Sequence, residues 1–137
     1  GCSRYSPKPV WQEDGCGLRT VADVAAVADP NPGVAVYDQR SGGWAVFGGT
    51  SASAPIIAGV YALAGNTASL TTVSNPNGFT SAAWFTYSNA FYTGAPQTLN
   101  DVTSGKNGVC TTTYLCTSGS LYDAPTGLGT PWKLSGF

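Results

Sequence analysis

Histidine does not occur among the 137 residues of this chain. A Ser-His-Asp triad cannot be assembled from these residues alone, and the imidazoles that many zinc sites use are missing too. Charge is scarce: Lys, Arg, Asp and Glu together make up 9% of the chain, the formal net charge is −1, and Glu13 is the only glutamate. That balance gives no basis for binding nucleic acid. The longest apolar run, near Ile56–Ala64, is far shorter than a bilayer-spanning helix, so no membrane partner is expected. With few acidic groups and no histidine, the chain gains little charge on acidification, which is compatible with stability in acid.

Glycine (18) and proline (9) are plentiful, alongside 42% hydrophobic residues. That composition describes a compact, loop-rich globular domain and not a disordered chain. A coarse reading gives α/β alternation. Val21–Ala28 reads as a buried strand interrupted by Asp23, Gly33–Tyr37 as a short strand or hairpin arm, Arg40–Gly43 as a turn, and Trp44–Phe47 as a strand. An apolar helix follows, ending near Gly65 and Asn66, which suit a C-terminal cap. Beyond it, Phe79, Trp84, Phe85, Tyr87, Phe91 and Tyr92 predict inward-packed rings, with a short amphipathic helix over 81–92.

Four cysteines fall into two close pairs, Cys2 with Cys16 and Cys110 with Cys116. Three pairings are arithmetically open, and local closure favours these two, each stabilising by roughly 2–3 kcal/mol. A zinc site is the rival reading, with unsuitable spacing. Disulfides form in oxidising compartments, so a secreted, extracellular location is expected.

The octapeptide Gly48–Pro55 carries the most chemistry. It sets Ser51 at a glycine-rich turn directly ahead of the apolar helix. Glycines let backbone approach a substrate closely, and a helix start points free N–H groups and its positive dipole end at an oxyanion forming there. Pro55 suits a first helical turn, where no N–H is needed. The plain alternative is a Ser/Thr-rich N-cap on a buried helix.

The octapeptide resembles the nucleophile segment shared by subtilisin-like and sedolisin-like serine peptidases. Two further stretches single out the sedolisins, the serine-carboxyl peptidases. Upstream are Arg19–Pro30 with Gly33–Tyr37, and downstream are Asp101–Gly108 with Tyr122–Pro131, all in the family's order. The resemblance implies an α/β, subtilisin-like parallel-sheet fold with a calcium-binding loop region. Residues 1–137 would then be the C-terminal part of one peptidase catalytic domain. It also implies a glutamate base, an assisting aspartate, and a second aspartate in the oxyanion hole, all far upstream of the serine. Glu13 and Asp14 do not match the family's Glu-x-x-x-Asp helix and read as solvated loop residues. Asp23 and Asp29 lead towards the serine, but such residues commonly cap strand ends or satisfy backbone donors.

By position against the sedolisin pattern, one structural Ca²⁺ would take carboxylates from Asp101 and Asp123 and carbonyls from Val102, Gly119 and Leu121, with water completing the shell. Loops of this kind supply the six to eight oxygens that Ca²⁺ needs. The family usually has glycine where Leu121 stands, so the backbone there is expected to avoid positive φ. The insertion bearing Cys110 and Cys116 lies between the two halves of the site. On spacing alone, both aspartates read equally as turn caps.

The implied activity is that of an acid-active serine-carboxyl endopeptidase hydrolysing polypeptides through a Ser51 acyl-enzyme, with Ser53 capping or packing. Its partners would be a polypeptide substrate and the N-terminal portion of the same catalytic domain, in one chain or as a separately processed one. This chain alone is expected to be incomplete. Two rivals are a catalytically inactive sedolisin-like binding or structural module, and a subtilisin-like fragment whose base would be a histidine elsewhere.

Overall fold

In the computed structural model of the chain, residues 1–8, 12–65, 99–134 and 137 are described. The aromatic run from Phe79 to Tyr92, the helix expected over 81–92 and the capping Asn66 lie outside the described residues.

Alternating apolar and small residues on either side of a polar turn form a hairpin. β1 (Val34–Asp38) pairs antiparallel with β2 (Gly43–Phe47), Val34 facing Phe47 and Asp38 facing Gly43. Asp38 closes the turn by accepting the Arg40 N–H, and Gly42 takes the left-handed conformation at φ 85 that ends the short 3-10 segment Gln39–Ser41. Tyr37 and Trp44 meet edge to face across the strands, centroids 5.7 Å apart, a cross-strand contact that fixes register.

Helix α1 (Thr50–Ala64) follows and stops at Gly65, in the left-handed region at φ 70, as the sequence predicts. Pro55 departs from its expected place. Because the helix begins at Thr50, Pro55 lies in the second turn, and its missing N–H withdraws the i+4 partner of the Ser51 carbonyl.

The expected parallel sheet is absent from the described residues. Their two sheets are both antiparallel and two-stranded: β1–β2, and β3 (Leu99–Asn100) with β4 (Thr130–Pro131). Val21–Ala28 forms no strand and is mostly half-buried. Its backbone bonds the glycine-rich stretch 127–129, through Leu128 N–H to Asp23 O (2.8 Å) and Ala25 N–H to Gly129 O (2.9 Å), as well as Gly49 N–H at Ala28 O. Gly127 makes this possible: a Cβ there would collide with the Asp23 backbone. A parallel neighbour needs a long crossover connection, and no described segment supplies one.

Both local disulfides form, Cys2–Cys16 and Cys110–Cys116, with Cα atoms 5.5 and 5.8 Å apart. Among the described residues, the buried ones other than Gly127 and Gly129 are Gln12, Cys16, Thr20, Cys116, Asp123, Ala124, Leu128 and Phe137. Phe137 packs its ring edge-on against Tyr61 of α1, centroids 5.0 Å apart.

Candidate active site

Ser51 stands where the sequence predicts, exposed, in the first turn of α1. Two glycines put it there. Gly49 is the N-cap at φ 90, a conformation that side chains rarely adopt, and its N–H binds Ala28 O. Gly48 lies so close to Pro30 and Ala28 O that a Cβ would collide with them. The turn is thereby locked onto the end of the segment 21–28. Among the described residues, nothing hydrogen-bonds the Ser51 hydroxyl or its N–H. With Pro55 freeing the Ser51 carbonyl as well, the residue is loosely engaged by the helix that carries it.

Ser53 behaves differently. Its hydroxyl donates to Val27 O (2.9 Å) and Ala26 O (3.2 Å), stapling α1 to the same segment. The two serines thus divide as expected, one open and one used in packing.

Ser51 opens onto an apolar hollow of about 600 Å³ between the hairpin and α1, lined by Val34, Val36, Phe47, Pro55 and Ile56. Asp38 also borders it, a residue the sequence reading passed over. Both its oxygens serve the hairpin turn, through Arg40 N–H (2.9 Å) and the Ser41 hydroxyl (2.7 Å), and these bonds hold its carboxyl below the usual range. Ser41 three residues after Asp38 was the available signal: an Asx cap, not a base.

The other acidic residues take structural places. Asp29 accepts the Asn31 N–H at 2.8 Å, a turn cap. Asp23 pairs with Arg19. Burial pushes its carboxyl up, and the Arg19 charge and hydrogen bond offset only part of that. Glu13 is exposed, as expected. Asp14 is not the solvated loop residue expected. Its side chain is 1% exposed and forms an ion pair with Lys8 at 2.5 Å, because the disulfide at Cys16 folds the loop over it.

At the other end of the chain, Asp101 and Asp123 converge on one loop. Asp101 Oδ2 accepts the Leu121 N–H (2.8 Å), while buried Asp123 accepts Gly119 N–H (3.0 Å) on Oδ2 and both Thr126 N–H (2.8 Å) and Thr126 Oγ1 (2.9 Å) on Oδ1. These are the turn-cap contacts of the plain reading. They leave spare lone pairs on the carboxylates, and no described hydrogen bond uses the carbonyls of Val102, Gly119 or Leu121. The donor set is all oxygen and fits Ca²⁺ chemically. Among the described residues there is no cluster of three or more His, Cys, Asp or Glu side chains. Leu121 overturns the expectation about its backbone: it sits at φ 65. Its N–H is held by Asp101 while the flanking Gly119 is held by Asp123, which forces the turn between them through the left-handed region.

Tyr122 is a second residue the sequence reading missed. Its hydroxyl donates to Ala22 O (2.7 Å) and accepts from Gln12 Nε2 (2.6 Å). Burial, then the Asp23 charge, pushes the phenol well above its ordinary value. No spacing signal marks such a contact, which joins residues 100 or more apart in sequence.

No family model matches the chain. Individual relatives do. It is 33% identical over 141 residues to kumamolisin from Bacillus sp. (strain MN-32), covering 96% of this chain and 23% of that protein. It is 31% identical over 132 residues to sedolisin from Pseudomonas sp. (strain 101), covering 94% of this chain and 20% of that protein. Its fold matches the solved structure of Pseudomonas sedolisin, a serine-carboxyl proteinase complexed with two molecules of pseudo-iodotyrostatin. That match has a TM-score of 0.70 at 31% identity, over 96% of this chain and 33% of that one. The chain therefore spans a quarter or less of the length of the two curated relatives. Sequence and fold agree, and the chain belongs to the sedolisin family.

Proposed function

We propose that this chain supplies the nucleophile of an acid-active serine-carboxyl endopeptidase whose base lies on other polypeptide. The observation that carries the reading is Ser51 itself, exposed and free of hydrogen bonds among the described residues, at a glycine-locked helix start. In the reaction the Ser51 Oγ attacks the scissile carbonyl of a polypeptide, and its proton passes to a glutamate outside this chain. The tetrahedral oxyanion lies against the Ser51 N–H at the positive end of α1. Collapse expels the amine, which takes up the proton, and leaves an acyl-enzyme. Water then releases the acid and restores the hydroxyl. A carboxylate base works best where its pKa lies near the operating pH, which favours acid.

A structural Ca²⁺ would be held by Asp101 and Asp123 through carboxylates and by Val102, Gly119 and Leu121 through carbonyls. When bound it would fix the two loops without taking part in the chemistry. The N-terminal portion of the same catalytic domain, continuous or separately processed, brings the base and assisting aspartate. Two local disulfides fit a secreted protein.

The test is peptide hydrolysis by the complete protein in acid. Ser51→Ala should lower kcat by about 10⁴-fold or more, on the scale of nucleophile deletions in serine peptidases. Ser53→Ala should keep most of kcat, since its hydroxyl serves packing. The reverse pattern, or full activity in Ser51→Ala, sinks the assignment.

A further inference from the structure

Away from the serine, the two disulfide loops meet at one buried carboxyl. Asp14 lies in the first loop, two residues before Cys16, with its side chain 1% exposed. Its Oδ1 accepts from Lys8 Nζ (2.5 Å) and from the Cys16 N–H (2.8 Å), and Lys8 Nζ also donates to the Asp14 carbonyl (2.9 Å). The Thr20 and Tyr114 hydroxyls hydrogen-bond to the same side chain, which as a carboxylate only accepts. Thr20 is wholly buried, its N–H on Gln12 Oε1 (2.7 Å) and its backbone bridged to Cys2. Tyr114 belongs to the 3-10 turn Thr113–Leu115 inside the second loop and lays its ring against Gly15, where a Cβ would lie 3.8 Å from Cδ1. Donors from both ends of the chain thus share one acceptor.

Charge decides when this arrangement holds. The titratable groups facing Asp14 are Lys8 on its own loop and Tyr114 on the other. Asp123 acts on Tyr114 by charge, and Asp14 and Tyr114 both act on Tyr122. Burial pushes the Asp14 carboxyl up, but hydrogen bonds from Lys8, Thr20 and the Cys16 N–H outweigh it and hold the group low. Burial, then the Asp14 charge, pushes the Tyr114 phenol up, so it keeps the proton it donates. Protonating Asp14 would turn one acceptor oxygen into a donor. It would also leave the partly buried Lys8 ammonium without its counter-charge, and an uncompensated buried charge is costly.

We propose that Asp14 is an acid latch between the two disulfide loops: as a carboxylate it clamps Tyr114 and the second loop onto the first, and on protonation it lets them part. Each disulfide closes only its own loop, so the join between the loops is noncovalent. The neighbouring tie, Gln12 Nε2 to the Tyr122 hydroxyl (2.6 Å), holds no group that titrates in acid and stays as the latch opens. Because the folded carboxyl is held low, the latch contributes fully above the ordinary carboxylate value of about 3.9, and its contribution is lost as pH falls through the folded one. It is shut in mild acid and opens in strong acid.

The test uses the complete protein. The Cys16 amide, bonded to Asp14 Oδ1, reports the carboxyl through its NMR shift against pH. Its midpoint should lie below about 3.9. The Leu115 amide, bonded to Thr112 O inside the second loop (3.0 Å), should lose hydrogen-exchange protection through the same midpoint. Tyr114→Phe takes one donor from the carboxylate without changing charge, so it should move the Cys16 midpoint up, and Lys8→Ala should move it further. In Asp14→Asn, Leu115 protection should be low at pH 6 already and should not change across the acid range. A wild-type Cys16 midpoint at or above the ordinary carboxylate value overturns the latch. So does a Tyr114→Phe midpoint equal to wild type, or Leu115 protection that ignores pH while Cys16 titrates. If Asp14→Asn does not fold, the Tyr114→Phe midpoint decides.

Discussion

Helix α1 runs for 15 residues without a buried one, whereas the stretch 116–129, with no helix or strand of its own, buries Cys116, Asp123, Ala124, Gly127, Leu128 and Gly129. A helix satisfies its own backbone, so it can stand with an apolar face open. An irregular segment cannot do this and must find a partner for each buried N–H and C=O. Here Asp123 serves three groups on its own loop, and the Asp23 carbonyl serves a fourth, on Leu128. The serine proposed as nucleophile is carried by the self-sufficient element, and the proposed stabilising ion by the dependent one.

The sharpest way to break the contrast is to remove the hub of the irregular loop. Asp123→Ala in the complete protein strips partners from three groups, and should lower stability by about 3–5 kcal/mol, at about 1.5 kcal/mol for each bond to a charged acceptor. Chelation should lower the wild-type melt and leave the variant unmoved. Free Ca²⁺ at a hundredfold excess over Kd adds about 2.7 kcal/mol. If chelator moves neither melt, the aspartates are turn caps and nothing more.

The open helix invites the next test. Leu63 is 75% exposed here. If the rest of the peptidase covers this face, Leu63→Ala in the complete protein should cost about 2–4 kcal/mol, the range for a buried leucine. A change within the scatter of surface substitutions would mean that α1 stays open. Smaller again is Leu121→Gly. It relieves a non-glycine residue at φ 65 and should raise stability by about 1 kcal/mol, less whatever the more flexible unfolded chain gains. A lower melt would mean that the Leu121 side chain packs usefully in the complete protein.

The least expected effect is a slope. The Asp23 carboxyl is raised in the folded state by burial. Its contribution to stability is therefore full below the ordinary carboxylate value and lost as pH rises through the folded one. Asp23→Asn should flatten that part of the stability–pH curve, so that wild type loses ground to the variant from acid towards neutrality. An identical pH dependence in both proteins would show that Arg19 fully compensates the burial.

What could be read from residues alone follows the same division. The hairpin, the helix with its Gly65 cap, the position of Ser51 and both disulfides are encoded locally, in turn residues, periodicity and close cysteine spacing. Asp14 was misread because its burial depends on a disulfide loop folding over it, and local polarity carries no sign of that. Pro55 lies past the first turn because five helical residues, Thr50 to Ala54, precede it. Val21–Ala28 has the composition of a buried strand, but a strand exists only with its neighbours. Tyr122, binding Gln12 and Ala22 across the chain, left no periodic trace.

Covalent connectivity has a further consequence, for what a single backbone cut does to this chain. The two disulfides close loops of sequence separation 14 and 6, so residues 17–109, Ser51 included, lie outside both. A cut between Ser51 and Asp101 parts the serine turn from both aspartate loops even without reductant. Cuts inside 3–15 or 111–115 leave one piece until thiol is added. Paired gels, with and without reductant, would therefore separate nicks held inside a disulfide loop from those that divide the chain outright.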